Sequence, residues 1–167
     1  INDVKHNVFD VYDPLNEQWS LQTIEELERN QGAELQQLLN TLKEQEFNDS
    51  LKTLSIEEAI KDGLPGIRYY LELIDLTGDM FASLNGYVEG KHEQKKIFKT
   101  NAENFTHYFN LLSPLEQKPN EIRDLITINR LYSDIVRTAD TIFRKYNPEG
   151  KKNGLKVVDR LEQTTFK

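Results

Sequence analysis

The sequence predicts an all-α protein, an antiparallel helical bundle of four to six helices folded as one domain over residues 1–167. Three observations carry this. Apolar residues recur at spacings of three and four over long stretches, which places them on one face of a helix. No stretch alternates apolar and polar residues as a half-buried strand does. Charged residues make up 29% of the chain against 37% hydrophobic, a balance suited to helices that each bury one face and leave the other in water. The longest stripe is Ile122, Leu125, Ile128, Tyr132, Ile135, Ala139, Ile142 and Tyr146, widened by Ile126, Val136 and Phe143. A helix carrying it must bury it against other helices.

The remaining elements follow in order. Ile1, Val4, Val8 and Val11 have helical spacing and predict a short first helix. Asp13-Pro14 then signals a new start: Asp13 can cap, and Pro14 fits a position whose N–H has no intrahelical partner. That helix carries Leu21, Ile24, Leu27, Gln31, Leu35, Leu38 and Leu42 on one face, is interrupted at Gln31 and Gly32, and should fray around 47–50. Ser55 with Glu58 forms a capping box for a brief helix that Gly63 ends, with Pro65-Gly66 as the stop. From Ile67 to Val88 there are two apolar faces, so this helix should be the most buried; Gly78 within it suggests a close helix approach or a kink. Ile97, Phe98, Ala102, Phe105, Tyr108, Phe109 and Leu112 mark the next helix. Ser113-Pro114 and Pro119-Asn120 bracket a tight connection to the long stripe. Asn147-Pro148-Glu149-Gly150 breaks the chain before a last helical segment at Leu155, Val158 and Leu161.

Composition excludes several classes of function. A net charge of −7 argues against nucleic acid and anionic membrane as main partners. The absence of cysteine removes disulfides, thiol nucleophiles and cysteine metal sites. No apolar run reaches membrane-spanning length. A chain that begins at Ile1 rather than Met is expected to be a mature chain or an excised domain, with membrane helices flanking it in the full-length protein.

No cluster of residues states a reaction, so the expectation is a protein that is not an enzyme and carries no cofactor or metal. Glu89 and His92 have the Glu-x-x-His spacing of carboxylate-bridged metal bundles, but only one copy is present, and an exposed helix end is the plainer reading. His107 lies beside Phe105, Tyr108 and Phe109 and reads as a core-edge residue. No carboxylate stands in an apolar setting that would raise its pKa. Lys91, Lys95, Lys96 and Lys99 form a small basic patch that reads as a solvated face. Trp19 reads as a structural anchor against Tyr12 or a neighbouring helix. Arg68-Tyr69-Tyr70 is the candidate ligand-binding group: an arginine with two tyrosines at the start of the most apolar helix can hold a small carboxylate or an amphipathic ligand. The alternative places Tyr70 in the core, Tyr69 at a helix interface and Arg68 in water.

The stretch from Asn2-Asp3-Val4 to Tyr12-Asp13-Pro14-Leu15-Asn16 resembles the all-helical extracytoplasmic ligand-binding domains of bacterial membrane-bound histidine kinases and chemoreceptors, in which a helix passes through a Tyr-Asp-Pro-Leu step into the next. The resemblance implies a periplasmic sensor domain between membrane helices, which receives a small-molecule ligand or a protein partner, can act as a homodimer, and transmits by helix displacement. The competing expectation is a helical interaction or scaffold protein without a small ligand, in the cytoplasm.

Overall fold

The computed structural model describes residues 13–53, 55, 57, 59–116 and 118–150. Among them are four helical rods and no strand. The first rod is α1 (Pro14–Leu27), a π-helical turn (Glu28–Gly32) and α2 (Ala33–Thr53), run together without a break. A second π-helical turn (Ala59–Gly63) leads into α3 (Leu64–Val88), followed by α4 (Gln94–Leu112) and α5 (Pro119–Lys145). The helices read at Ile1 to Val11 and at Leu155 to Leu161, the partner Tyr12 and the capping residue Glu58 lie outside the described residues.

Contacts between distant residues fix the directions. Tyr70 bonds Glu116, Gly32 faces Phe81, Arg130 approaches Glu34, and Tyr87 bonds Tyr146. The rods therefore run down, up, down and up between the two ends. One end, called lower here, gathers Glu46, Asp49, Tyr70, Glu116 and Glu121. The upper end gathers Trp19, Tyr87, Phe98 and Tyr146. Ile24, Leu35, Leu39, Leu42, Leu73, Met80, Leu84, Phe105, Ile128, Ile135 and Ile142 form one continuous core between the rods.

The helix ends follow local chemistry. The Asp13 carboxylate accepts from the N–H groups of Leu15 and Asn16 at 3.1 and 3.0 Å and caps α1. At the end of α3, Gly90 takes φ of 109°, and the N–H groups of Gly90 and Lys91 reach back to Tyr87 and Gly86. This closure needs a residue tolerant of the left-handed region, which is why glycine stands there. At the start of α5 the Glu121 carboxylate accepts from the Lys118 N–H at 3.2 Å, and Pro119 occupies the first turn.

Four expectations are corrected. Gln31 does not continue the first stripe: the buried positions run Leu27, Gly32, Leu35, a step of five created by the π-helical turn. Gly32 is the close approach, since a Cβ there would stand 2.6 Å from the Phe81 ring, whereas Gly78 is exposed with nothing near it, in a helix that continues through it. Pro65-Gly66 stops nothing; Pro65 lies in the first turn of α3, where no backbone donor is lost. The first rod also runs on to Thr53 rather than ending at 47–50.

α3 is buried on two sides, packing closely along α4 and against α2. α2 in turn packs on α5. α4 and α5 meet chiefly through rings: Phe98 stands edge-on to Phe143 at 5.4 Å, and Phe105 stacks on Tyr132 at 4.4 Å. Large rings hold the two backbones apart, and the seam between them stays open to solvent.

Candidate functional site

The open α4/α5 seam holds a cavity of about 560 Å³ toward the upper end. α4 contributes Lys95 and Lys99; α5 contributes Tyr132, Ser133, Val136, Arg137, Asp140, Phe143 and Arg144. A second cavity of about 280 Å³ shares Lys99, Tyr132, Val136 and Asp140 and adds Phe98, Ala102, Glu103 and Thr106. A third, also about 280 Å³, lies toward the lower end between Phe109 and Ser113 on α4 and Ile122, Leu125, Ile126 and Asn129 on α5. On α5 the lining residues Ile122, Ile126, Asn129, Ser133, Arg137, Asp140 and Arg144 step by three or four, so one helix face lines all three cavities. The first two share four lining residues and the third follows below them on the same helix face; the row of three is called the trough here.

Its floor is aromatic. Phe109 lies nearly parallel to Phe105 at 6.5 Å, and Phe105 stacks on Tyr132. The Tyr132 hydroxyl donates to the Ala102 carbonyl at 2.7 Å and lies 3.0 Å from Thr106 Oγ1. This single side chain ties α5 to α4, and burial holds its pKa above the ordinary tyrosine value. At the upper end Lys95 Nζ lies 5.4 Å from the Phe143 ring centre. Arg137 bonds Asp134 at 2.7 Å and Arg144 bonds the Asp140 carbonyl at 3.2 Å, which orders both guanidinium groups along the rim. The lysines read as a solvated patch are thus split: Lys95 and Lys99 join two arginines of α5, while Lys91 pairs with Glu89 outside the trough.

The basic character is local. Between Asp13 and Lys52 stand nine carboxylates and three cations, whereas between Gln94 and Lys145 there are nine cations and six carboxylates. The first rod is acidic, as is the stretch from 54 to 93, and the α4/α5 side is basic.

The sequence-derived group does not come together as one site. Arg68 and Tyr69 line a shallow groove of about 290 Å³ with Ile60, Leu64 and Pro65. Arg68 is exposed and stands 3.9 Å from Glu72; Tyr69 lies against Tyr108 at 6.1 Å. Tyr70 is fully buried and turns the other way, into the lower end of the core. Glu89 and His92 are exposed, His92 lying 5.9 Å from the Tyr87 ring. No group of three or more potential metal ligands gathers among the described residues.

Where Tyr70 points, the structure overturns the expectation that no carboxylate sits in an apolar setting. The Tyr70 hydroxyl donates to Glu116 Oε1 at 2.6 Å, and Glu116 is only 7% exposed. Burial pushes the Glu116 carboxyl from its ordinary 4.5 up to about 7; the bond from Tyr70 pulls it down, while contact with Glu121 and the charge of Glu46 push it up. Glu121, also buried, accepts from Lys118 Nζ at 2.8 Å, and Lys118 also bridges to Asp49 on α2. Those two bonds hold the Lys118 ammonium above its ordinary value, and Lys118 draws Asp49 below its own. Glu46 is raised by burial and by Glu121. Burial and the bond to Glu116 drive the Tyr70 hydroxyl far above ordinary tyrosine, so it stays a donor. The cluster thus joins α2, α3 and α5 through a shared proton site. It lines neither the α4/α5 trough nor the groove at Arg68.

Among the described residues no helix is long and apolar enough to cross a membrane. The chain matches no protein-family model, and no curated protein or solved structure is significantly similar to it.

Proposed function

We propose that this chain is a sensory helical bundle, the extracytoplasmic input domain of a bacterial signalling receptor. A small ligand seated in the α4/α5 trough displaces α4 against α5, and the rods carry that displacement to flanking membrane helices. The single observation behind this reading is the seam itself: α4 and α5 are bridged by rings and one tyrosine hydroxyl, so a ligand can wedge there without breaking the core. Small shifts of packed helices are a common output of such bundles. The resemblance at Tyr12-Asp13-Pro14-Leu15 supports the receptor part of the reading.

The test uses the absence of cysteine in the chain. Cysteines at the exposed positions Thr100 on α4 and Arg130 on α5 carry spin labels, and their distance is measured with and without the hits of a thermal-shift screen of small solutes. The reading expects a saturable stabiliser that changes the distance by about 1–2 Å. A screen without stabilisers, or stabilisers that leave the distance alone, would count against it.

A second reading is a protein-interaction or scaffold domain. One observation favours it: Phe47, Leu51, Ile60 and Leu64 are large apolar side chains exposed near the lower end, and apolar surface gathered in one region often marks a partner site. A pull-down that captures a defined stoichiometric partner and is lost in Leu51→Glu would move the assignment there.

A further inference from the structure

We propose that the α4/α5 trough binds a single-chain amphiphilic carboxylate, a long-chain fatty-acid anion, with its head at the upper end and its tail lying toward the lower end. This rests on the reading of the trough as the ligand seat and names the class of ligand.

The trough is polarised along its length. Its upper cavity presents two ammonium groups, Lys95 and Lys99, and two guanidinium groups, Arg137 and Arg144, around one carboxylate, Asp140. Positive groups converging from both walls favour an anion, and the guanidinium forks suit a planar carboxylate. The lower cavity offers no charged side chain; its walls are Phe109, Ile122, Leu125 and Ile126 with Ser113 and Asn129. Ile126 is 67% exposed there, an apolar surface that gains from being covered.

Between the two ends, Tyr132 lines the upper cavities and Phe109 the lower one, and both rings rest on the buried Phe105. From Arg137 to Ile126 the helix rises about 16 Å, the reach of a long acyl chain. A partner helix fits less well. It is about 10 Å across and needs an apolar stripe facing it throughout, whereas Glu103, Thr106, Asn129 and Ser133 line the middle of the trough. A compact anion such as phosphate would leave the lower cavity and its isoleucines unused.

The head and tail are also placed to act on the seam. An acyl chain crossing the middle of the trough lies over Tyr132, whose hydroxyl ties α5 to the Ala102 carbonyl. Occupancy therefore bears on the bond that sets the α4/α5 distance.

The experiment titrates the full chain with dodecanoate below its micelle concentration by calorimetry, beside dodecanol, dodecylamine, acetate and an anionic phospholipid vesicle. The expected result is saturable one-to-one binding of dodecanoate, with dodecanol and acetate each weaker by about tenfold or more, because each lacks one end of the recognition. Lys99→Gln with Arg137→Gln should weaken dodecanoate by about tenfold or more, and Ile126→Glu should weaken it as well. Both changes are at exposed positions and leave the core intact. Lys52→Gln with Lys61→Gln, away from the trough, should change nothing. Absence of saturable dodecanoate binding, equal affinity for dodecylamine, binding indifferent to the trough variants, or preference for the vesicle surface over the free acid each overturns the proposal. If another solute binds and moves the Thr100–Arg130 label distance while dodecanoate does not, the sensory reading stands and only the ligand class falls. If nothing binds, both fall.

Discussion

Glu116 makes the stability of this bundle depend on pH in an unusual direction. Its carboxyl keeps a proton up to about pH 7 in the folded chain, against an ordinary value of 4.5. Between those values the folded state binds more protons than the unfolded state, so stability falls as pH rises. The contribution is fully present below pH 4.5 and is lost once pH passes 7. Each tenfold change in proton affinity corresponds to about 1.4 kcal/mol, so the swing is about 3 kcal/mol. Glu46, also raised, acts with the same sign. Asp49 acts oppositely: its carboxyl is lowered from 3.8 by Lys118, so its stabilisation is lost only as pH falls below that value. The Asp49 window does not overlap that of Glu116, and between pH 5 and 8 the Glu116 effect adds to that of Glu46, from which comparison with a Glu116→Gln variant separates it.

The perturbation is Glu116→Gln. The amide oxygen can still accept from Tyr70 and the amide N–H can donate to Glu121, so the hydrogen-bonded chain survives without a charge to desolvate. Urea unfolding across pH 5–8 should show the wild type losing most of the 3 kcal/mol and the variant losing little. At pH 8 the variant should be the more stable, with Tm higher by about 6–12 °C for a domain of this size. Tyr70→Phe supplies the converse control. The Tyr70 hydroxyl favours the charged form of Glu116, so its removal should move the wild-type transition to higher pH. Wild-type stability that is flat or rising from pH 5 to 8, or a Glu116→Gln variant weaker than wild type at pH 8, would refute the reasoning.

Three further outcomes test the packing. Gly32→Ala places a methyl group 2.6 Å from the Phe81 ring, and urea unfolding should show a loss of about 1–3 kcal/mol. Gly78→Ala adds a methyl group into open space in mid-helix, and the same assay should show a gain of about 0.5–1 kcal/mol. Tyr132→Phe removes the hydroxyl bonded to the Ala102 carbonyl; it should cost about 1 kcal/mol and lengthen the spin-label distance between Thr100 and Arg130.

The architecture was legible because the helical stripes are long. Of the α5 stripe, Leu125, Ile128, Ile135, Ala139, Ile142 and Tyr146 are buried. The departures from the stripes have physical causes. Ile122 and Ile126 follow the apolar spacing but face the open seam, because α4 stands off on the rings of Phe105 and Phe109. Leu131 is buried because α5 also packs against the first rod, on a side that the stripe did not include. Regular helical spacing puts Gln31 in the stripe, and the π-helical turn at Glu28–Gly32 shifts the buried position to Gly32. The signal present there was Gly32: a small residue beside a broken stripe marks a point where another element comes close.

The two candidate sites differ in how far sequence could have reached them. The trough needs only the register of one hairpin. With the connection at 113–118 located, antiparallel α4 and α5 bring Phe105 opposite Tyr132 and Phe98 opposite Phe143, as the ring contacts record. The same register sets Lys99 opposite Asp140, between Arg137 and Arg144, so lysines that look solvated along α4 become one wall of a cationic groove. Glu116 is a different case. Its neighbours, Ser113-Pro114-Leu115 before it and Lys118 after it, read as a polar turn, and nothing local marks it for burial. The burial comes from Tyr70, 46 residues earlier, and from Glu46 and Glu121, carried there by α2 and α5. A residue whose environment is assembled by three rods has no local pattern to reveal it. Only Tyr70 gave a hint, as a tyrosine on the core face whose hydroxyl had to find an acceptor inside the bundle.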